Sequence, residues 1–249
     1  MDSFIAWIGG KKLLRKQIIA EFPKEYERYI EVFGGAGWVM FGLDNIPNLE
    51  VFNDINKDLI NLYRCIKYHP QELQKELQFA TVSRELFNNY KSQLNVDGLT
   101  DIQRAARYFI VIKTSFGGNR EHFWCSKKNL FSGVEYFSDI HIRLKKTVIE
   151  NKDFEGIIKT YDRDNALFYC DPPYFGTEKY YKDDFRDKHI SLFNALSKIK
   201  GKFILSYNDC EYIRNLYREY NIISVDRSNN LKTKNGIAGK YSELIIKNY

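Results

Sequence analysis

The sequence is poor in residues that cross-link or stiffen a chain, since its 249 residues include four cysteines, five prolines and two methionines. The cysteines form no Cys-x-x-Cys pair and have no histidine pattern near them, which argues against structural zinc and against a disulfide framework. No stretch reaches the roughly 18 apolar residues that a membrane-spanning helix needs. The first ten residues also lack the basic start and long apolar core of a secretion signal. The sequence therefore predicts a soluble, intracellular protein with reduced thiols and no membrane partner.

Complete nucleotide-binding signatures are also missing. No glycine-rich loop ends in the Gly-Lys-Ser/Thr of ATP-binding proteins, and Met40 stands where a dinucleotide fingerprint would need its third glycine. Residues 29–40 nevertheless have the pattern of a strand, a glycine loop and a helix. The next predicted strand, 49–53, is followed by Asp54, whose carboxylate is positioned to accept from ribose hydroxyls. The pattern favours a ligand that carries adenosine but is neither NAD nor ATP, and a purely structural turn is the alternative.

The charge distribution allows a nucleic-acid partner. The net charge is +6, with six basic residues against one acidic residue between positions 104 and 128, and four basic and no acidic residues at 227–240. We interpret both segments as surfaces that contact nucleic acid, with a solvated helix face and an anchored loop as the alternative for the first segment. The candidate DNA-binding residues are Arg107, Lys113, Asn119, Arg120, Lys127, Lys128, Lys232 and Lys234.

The hydrophobic pattern divides the chain into three parts. Residues 1–55 and 148–249 alternate short apolar runs, typical of strands, with helical segments. Residues 56–147 have helical periodicity and no clear strand. We therefore predict an α/β fold in which a mainly helical subdomain, 56–147, is inserted between the two parts of a domain built on one sheet.

An acidic and proline-rich loop follows the most apolar predicted strand. The segment 166–170 carries no charge, as expected of a strand buried on both faces. Asp171, Pro172, Pro173 and Tyr174 end it, because two prolines cannot donate hydrogen bonds to a sheet. Ligands of open α/β sheets bind beside the carboxyl ends of the strands, where this loop would lie. A simple turn of the chain is the alternative for this tetrapeptide alone.

The residue types of this loop suit attack by the exocyclic amine of a nucleobase. Such an amine is a poor nucleophile because its lone pair is delocalised into the ring. The Asp171 carboxylate and the Pro172 carbonyl could accept its two hydrogens and direct the lone pair at an electrophile. Tyr174 would supply an aromatic face for the base, a role that needs no hydroxyl. We therefore predict that Asp171, Pro172, Pro173 and Tyr174 are catalytic.

Five motifs follow one another along the chain: Trp7-Ile-Gly-Gly-Lys11, Phe33-Gly-Gly-Ala-Gly37, Asn53-Asp-Ile-Asn56, Asp171-Pro-Pro-Tyr174 and Ser242-Glu-Leu-Ile-Ile246. Together they resemble the motifs of Dam-type (alpha-class) DNA adenine-N6 methyltransferases over essentially the whole length. The resemblance implies site-specific methyl transfer from S-adenosylmethionine to N6 of a flipped-out adenine in double-stranded DNA, with S-adenosylhomocysteine as product and no metal. It also implies a Rossmann-like seven-stranded sheet, and it makes the helical insert the domain that recognises the DNA target.

The resemblance further implies which residues bind the cofactor. They are Trp7, Gly10, Lys11, Phe33, Gly34, Gly35, Ala36, Gly37, Asp54, Asp153, Phe154 and Asp171. The stretch 33–37 would hold the methionine end, Asp54 the ribose, and Asp153 with Phe154 the adenine. We also expect a cytoplasmic enzyme of bacterial or phage origin, a monomer or weak dimer, and a cognate restriction endonuclease as a potential partner.

Two alternatives remain open at this point. The same chemistry could act on cytosine N4, RNA adenine or a protein amide, or the chain could be a catalytically silent DNA-binding relative. Asp171 favours adenine, since Ser-Pro-Pro-Tyr is commoner among cytosine enzymes and Asn-Pro-Pro-Tyr among enzymes that act on amides. The intact loop 171–174 argues against a silent relative.

Overall fold

The structure, a computed structural model, describes residues 1–124, 133–177, 185, 187–232 and 238–249, with only the backbone described at 227–232 and 238–241. Its centre is one sheet, formed by β1 (Arg28–Glu31), β2 (Leu49–Asn53), β3 (Val148–Glu150), β4 (Ala166–Cys170), β5 (Lys202–Asn208), β6 (Asn221–Lys232) and β7 (Ala238–Lys247). The seven strands lie in the order β3-β2-β1-β4-β5-β7-β6. Pairing is parallel from β3 to β5, whereas β7 runs antiparallel to β5 and β6. The order reverses between β1 and β4, which opens a crevice at their carboxyl ends.

Helices cover both faces of the sheet. They are α1 (Arg15–Ala20), α2 (Lys57–Tyr68), α3 (Pro70–Leu77), α4 (Arg84–Gln93), α5 (Asp101–Lys113), α6 (Phe137–Leu144), α7 (Phe154–Tyr161), α8 (His189–Leu196) and α9 (Glu211–Leu216). Side chains of α1 to α6 pack on one face, and side chains of α7, α8 and α9 pack on the other. Within the described ranges, no helix is both long and apolar enough to cross a membrane. The predicted α/β class with a seven-stranded sheet is confirmed.

Strand β4 shows why the sequence around position 168 is so apolar. All five of its residues are buried. Leu167 and Tyr169 face the core under α1 to α6, whereas Phe168 and Cys170 face the core under α7 to α9. A strand covered by helices on both sides leaves no solvated position for a charge. The predicted central strand is therefore confirmed, and Asp171 follows it directly.

The described residues of the stretch between β2 and β3 form the helices α2 to α6. Asn56 fixes its start, because the Asn56 side chain accepts from the backbone N–H groups of Asp58 and Leu59. A capping box of Thr100 and Gln103 starts α5 in the same way. The buried side chains of these helices form one cluster with those of the sheet face below them. The helices are thus a continuation of the main core, and their role as a target-recognition domain stays a prediction.

One local prediction is wrong. The glycine loop is followed by a single 3₁₀ turn, Met40–Gly42, and not by an α-helix. Pro47 follows shortly afterwards, and a proline disfavours the α conformation of the residue before it. The chain must also reach the start of β2 within a few residues. The loop is therefore held by side chains and tight packing, without the aligned N–H groups of a long helix.

Candidate active site

A cavity opens beside the carboxyl ends of β1, β2 and β4. Its volume is about 830 Å³ when the open space at its mouth is included. All the predicted cofactor residues line it except Asp153 and Phe154. The fold thus brings together three separate stretches of the chain, 7–11, 33–37 and 54–56, with Asp171.

The glycine loop is held tightly between the N-terminal segment and Asp54. Gly35 has φ of +51°, and a Cβ there would lie 2.9 Å from the Trp7 ring, so only glycine fits without displacement. One oxygen of the Asp54 carboxylate accepts from the Gly35 N–H at 2.8 Å, and the other accepts from the Asn56 N–H at 2.8 Å. Asp54 therefore shapes the loop as well as lining the cavity.

Lys11 is paired with the predicted catalytic carboxylate. Its Nζ lies 2.7 Å from Oδ1 and 2.8 Å from Oδ2 of Asp171, and it also donates to the Gly9 carbonyl at 2.7 Å. The Lys11 side chain is only 3% exposed. A cation removed from water in this way needs a counter-charge with good geometry, so each partner fixes the position of the other.

Tyr174 is held at both its ring and its hydroxyl. The Lys11 Nζ lies 4.7 Å from the centroid of the Tyr174 ring. The Tyr174 hydroxyl donates to the carboxylate of Glu243 on β7. Burial raises the pKa of Tyr174 well above its usual value, and the charges of Asp171 and Glu243 act in the same direction, so the hydroxyl keeps its proton. The sequence indicated a role for the ring alone, whereas the structure also gives the hydroxyl a partner.

Comparison with known proteins gives a match over most of the chain. The family model of the D12 class N6 adenine-specific DNA methyltransferases matches residues 7–231. This chain belongs to that family. Adenine N6 in DNA is therefore the acceptor of this methyltransferase, and the cytosine, RNA, amide and silent alternatives are set aside.

Three relatives match the methyltransferase over at least 95% of their own length. The Type II methyltransferase M1.LlaDCHI of Lactococcus lactis subsp. cremoris is 27% identical, with 99% of this chain and 95% of the relative covered. M.CviBI of Paramecium bursaria Chlorella virus NC1A is 25% identical, with 100% of both covered. M.MjaIII of Methanocaldococcus jannaschii is 28% identical, with 99% and 98% covered.

The methyltransferase also has a buried glutamic acid in the cavity wall. Glu31, at the end of β1, is 2% exposed. Its carboxyl accepts from the Tyr29 hydroxyl at 2.7 Å and from the Met40 N–H at 2.8 Å. Burial raises the pKa of Glu31 to about 8, against the lowering effect of these hydrogen bonds. The side chain is thus mainly protonated at neutral pH.

The predicted adenine-binding pair lies at the margin of the cavity. Phe154 stacks on Phe33 with ring centroids 6.0 Å apart, and Phe185 packs on both rings. Phe33 and Phe185 line the cavity, and Phe154 lies behind them. Asp153 is exposed and caps α7 by accepting from the Gly156 N–H at 2.7 Å. The capping role was not predicted, and the adenine contact of Asp153 stays a prediction.

The candidate DNA-binding residues do not share one environment. Arg120 lines the cavity, where its guanidinium lies 4.4 Å from the centroid of the Trp7 ring. Arg107 and Lys113 lie on α5, outside the cavity, and the Asn119 side chain accepts from two backbone N–H groups of its own turn. Lys127, Lys128 and Lys234 lie outside the described residues, and only the backbone of Lys232 is described.

Some residues of the cavity and the site are not predicted by the sequence. They are Glu31, Trp38, Tyr169, Phe185 and Glu243. The two acidic residues could have been recognised, because each interrupts an apolar strand and acidic residues are almost never buried without a partner. The aromatic residues carried none, since aromatic side chains fill cores throughout this chain. Among the described residues, no group of three or more His, Cys, Asp or Glu side chains is arranged to hold a metal ion.

Proposed function

We propose that the methyltransferase takes its methyl group from S-adenosylmethionine bound in the cavity. The residues fit this donor. The glycine loop lies flat against Phe52 and Trp7, where a Cβ on Gly34 would approach the Phe52 ring to 2.4 Å, and this packing leaves the cavity open. Carboxylates of Asp54 and Asp171 face a ligand that carries two positive charges.

Each part of the donor has a suitable group in the wall. When bound, this donor supplies a methyl group already activated by a positively charged sulfur. Asp54 accepts from ribose hydroxyls with the lone pairs that its two backbone hydrogen bonds leave over. Phe33 and Phe185 offer aromatic surface for the adenine ring, and Asp153, at the margin, accepts from its amino group. The product in this site would be S-adenosylhomocysteine.

Asp171 and Pro172 act on the target amine. Lys11 holds the Asp171 carboxylate in place, and this carboxylate accepts from one N6–H while the Pro172 carbonyl accepts from the other. Pro173 rigidifies the loop. With this donor bound, the new C–N bond would form as the C–S bond breaks, and sulfur would keep the electron pair of that bond. N6 then has one proton too many, and we assign its removal to Asp171, with water as the final acceptor.

Tyr174 receives the target adenine after the base leaves the duplex. Unstacking a base costs a few kcal/mol, and stacking on an aromatic ring returns about 1–3 kcal/mol per base. The contacts of the ring with Lys11 and of the hydroxyl with Glu243 hold the ring in a fixed position before the base arrives. Such preorganisation lowers the entropic cost of binding.

The helical segment 56–147 and the hairpin of β6 and β7 are the proposed walls of the DNA groove. The basic residues at 104–128 and 227–240 would neutralise phosphates on double-stranded DNA. We further propose a cytoplasmic enzyme, a monomer or weak dimer, that protects DNA from a cognate restriction endonuclease. Relatives named as Type II methyltransferases support this last point.

Isotope transfer tests the donor. Purified protein is incubated with mixed-sequence double-stranded DNA and S-adenosylmethionine that carries a deuterated methyl group, with and without EDTA. The DNA is then digested to nucleosides, and the masses of the nucleosides are measured by mass spectrometry. We expect labelled N6-methyldeoxyadenosine in both samples. Unlabelled product, or activity that EDTA abolishes, would contradict a metal-free transfer from this donor.

A further inference from the structure

An arginine from the helical segment lies inside the wall of the cofactor cavity. The Arg120 guanidinium is 4.4 Å from the centroid of the Trp7 ring, and Trp7 in turn lies against Gly35 of the glycine loop. The turn that carries Arg120 is packed against the same N-terminal segment, because a Cβ on Gly118 would lie 2.6 Å from the Ala6 carbonyl oxygen. Residues predicted to read DNA and residues predicted to bind cofactor therefore meet at this point.

The backbone of Arg120 is held in an unfavourable conformation. Its φ is +61°, and no other non-glycine residue in the described ranges has a positive φ. This region costs a side-chain-bearing residue on the order of 1 kcal/mol. The Arg120 N–H donates to Ser115 Oγ at 3.0 Å, which fixes the turn. Backbone strain of this kind is concentrated at functional sites, since the surrounding structure must hold the residue there.

The guanidinium retains unused donors. Within the described part of the chain, it makes one hydrogen bond, in which Nη1 donates to the Tyr108 hydroxyl at 2.7 Å. Its Nε is shielded from solvent and has no hydrogen-bond partner among the residues that the structure describes. Among the described residues of the cavity wall, the other cation is Lys11, which is already paired with Asp171 at 2.7 Å. Arginine is therefore the cation with donors to spare, and its forked N–H groups match a carboxylate.

We propose that Arg120 binds the carboxylate of the methionine portion of the cofactor. The inference rests on the proposed use of S-adenosylmethionine. That ligand carries one carboxylate, which needs a cation in the cavity. Arg120 supplies it and closes the wall from the side of the helical segment. The turn that carries Arg120 belongs to the helical segment predicted to bind DNA, and this turn would then complete the cofactor site. Without bound cofactor, the turn would lack this contact.

Two ligands that differ in one carboxylate isolate this contact. Calorimetry measures the Kd of S-adenosylhomocysteine and of its decarboxylated analogue for the wild-type protein and for Arg120→Ala, Arg120→Lys and Arg84→Ala. Arg84 is the matched control, since its guanidinium also lies over a ring, that of Phe123 at 4.8 Å, but outside the cavity. Thermal unfolding of the ligand-free variants checks that each is folded.

We expect Arg120→Ala to weaken S-adenosylhomocysteine binding by about 10- to 100-fold, the usual range for a charged hydrogen bond, and to leave the decarboxylated analogue within about threefold. Arg120→Lys should recover part of the loss, because lysine keeps the charge without the fork. Arg84→Ala should leave both ligands unchanged.

Three results would overturn the inference. Equal losses for both ligands would mean that Arg120 only supports the Trp7 ring. No loss for either ligand would exclude Arg120 from the site. Unchanged cofactor binding with an altered DNA sequence preference would make Arg120 a base-reading residue instead. Failure of the wild-type protein to bind S-adenosylhomocysteine at all would instead refute the proposed cofactor.

Discussion

The buried carboxyl group of Glu31 should make the stability of the free enzyme fall as pH rises. Burial raises the pKa of Glu31 from 4.5 to about 8, with the charges of Glu50 and Asp171 adding to the effect. Between these two pH values the folded protein binds a proton that the unfolded chain has lost. The stabilising contribution is therefore complete below about pH 4.5 and is lost progressively as pH approaches 8.

The size of the effect follows from the two pKa values. For a group with pKa 4.5 in the unfolded chain and about 8 in the folded protein, linkage predicts a loss of about 2 kcal/mol between pH 6 and pH 8. Glu31→Gln removes the titration and keeps both acceptor positions on one side-chain oxygen. Its free energy of unfolding should therefore lack this part of the pH slope.

Urea unfolding of the ligand-free protein at pH 6, 7 and 8 measures the difference. The quantity of interest is the stability of wild type minus that of Glu31→Gln, because other titrating groups cancel in it. Glu25→Gln is the matched control, since Glu25 is exposed and outside the cavity. A difference that stays constant across the three pH values would refute the reasoning, because Glu31 would then titrate alike in both states.

Three further predictions concern other parts of the site. Asp54→Ala should weaken S-adenosylmethionine binding by about 1.5–3 kcal/mol in calorimetry, as for a charged acceptor, and unchanged affinity would mean that the ribose is held elsewhere. Tyr174→Phe should lower the free energy of unfolding by about 1.5 kcal/mol, because Glu243 loses a hydrogen-bond donor. This loss of stability should be smaller when Glu243 is already replaced by Gln, and equal losses in both backgrounds would exclude an interaction between the two residues. DNA affinity should fall at least about 100-fold between 50 and 200 mM salt if the protein neutralises four phosphates. The double variant Lys127→Glu, Lys128→Glu should reduce that salt dependence for all DNA sequences alike. An affinity that does not depend on salt would contradict the proposed basic groove.

Most of the fold could be predicted from local patterns in the sequence. Strand β4 could be predicted because burial on both faces leaves a run of uncharged residues, and the prolines after it mark where the strand must stop. The helical character of the described residues between β2 and β3 follows from hydrophobic periodicity in the same way. The helix expected after the glycine loop was wrong because the short path to β2 overrode local propensity there.

Contacts between distant residues could not be read from the sequence. Lys11 and Asp171 are 160 positions apart, and Tyr174 and Glu243 are 69 apart, so no spacing rule connects either pair. The family motifs suggested that Lys11 lies near the cofactor, but only the fold shows its pairing with Asp171, the predicted catalytic carboxylate. Arg120 is a similar case. Its basic neighbourhood indicated DNA, whereas packing of its turn on the N-terminal segment puts it in the cavity wall.

The central claim is that Asp171 acts on the reacting amine and not on DNA binding. Rapid-quench measurement of a single turnover, with enzyme and S-adenosylmethionine in saturating excess over a DNA duplex, gives the rate of methyl transfer independently of DNA affinity. It is carried out on the wild type, Asp171→Ala and Asp171→Asn, and the Kd for DNA is measured separately. Ligand-free thermal unfolding checks both variants, because Lys11 loses its partner. We predict that Asp171→Ala slows methyl transfer by at least about 100-fold while the Kd for DNA stays within about threefold, and that Asp171→Asn, which keeps one acceptor oxygen, retains more of the rate. Methyl transfer by Asp171→Ala within about tenfold of the wild-type rate would contradict this account of the site.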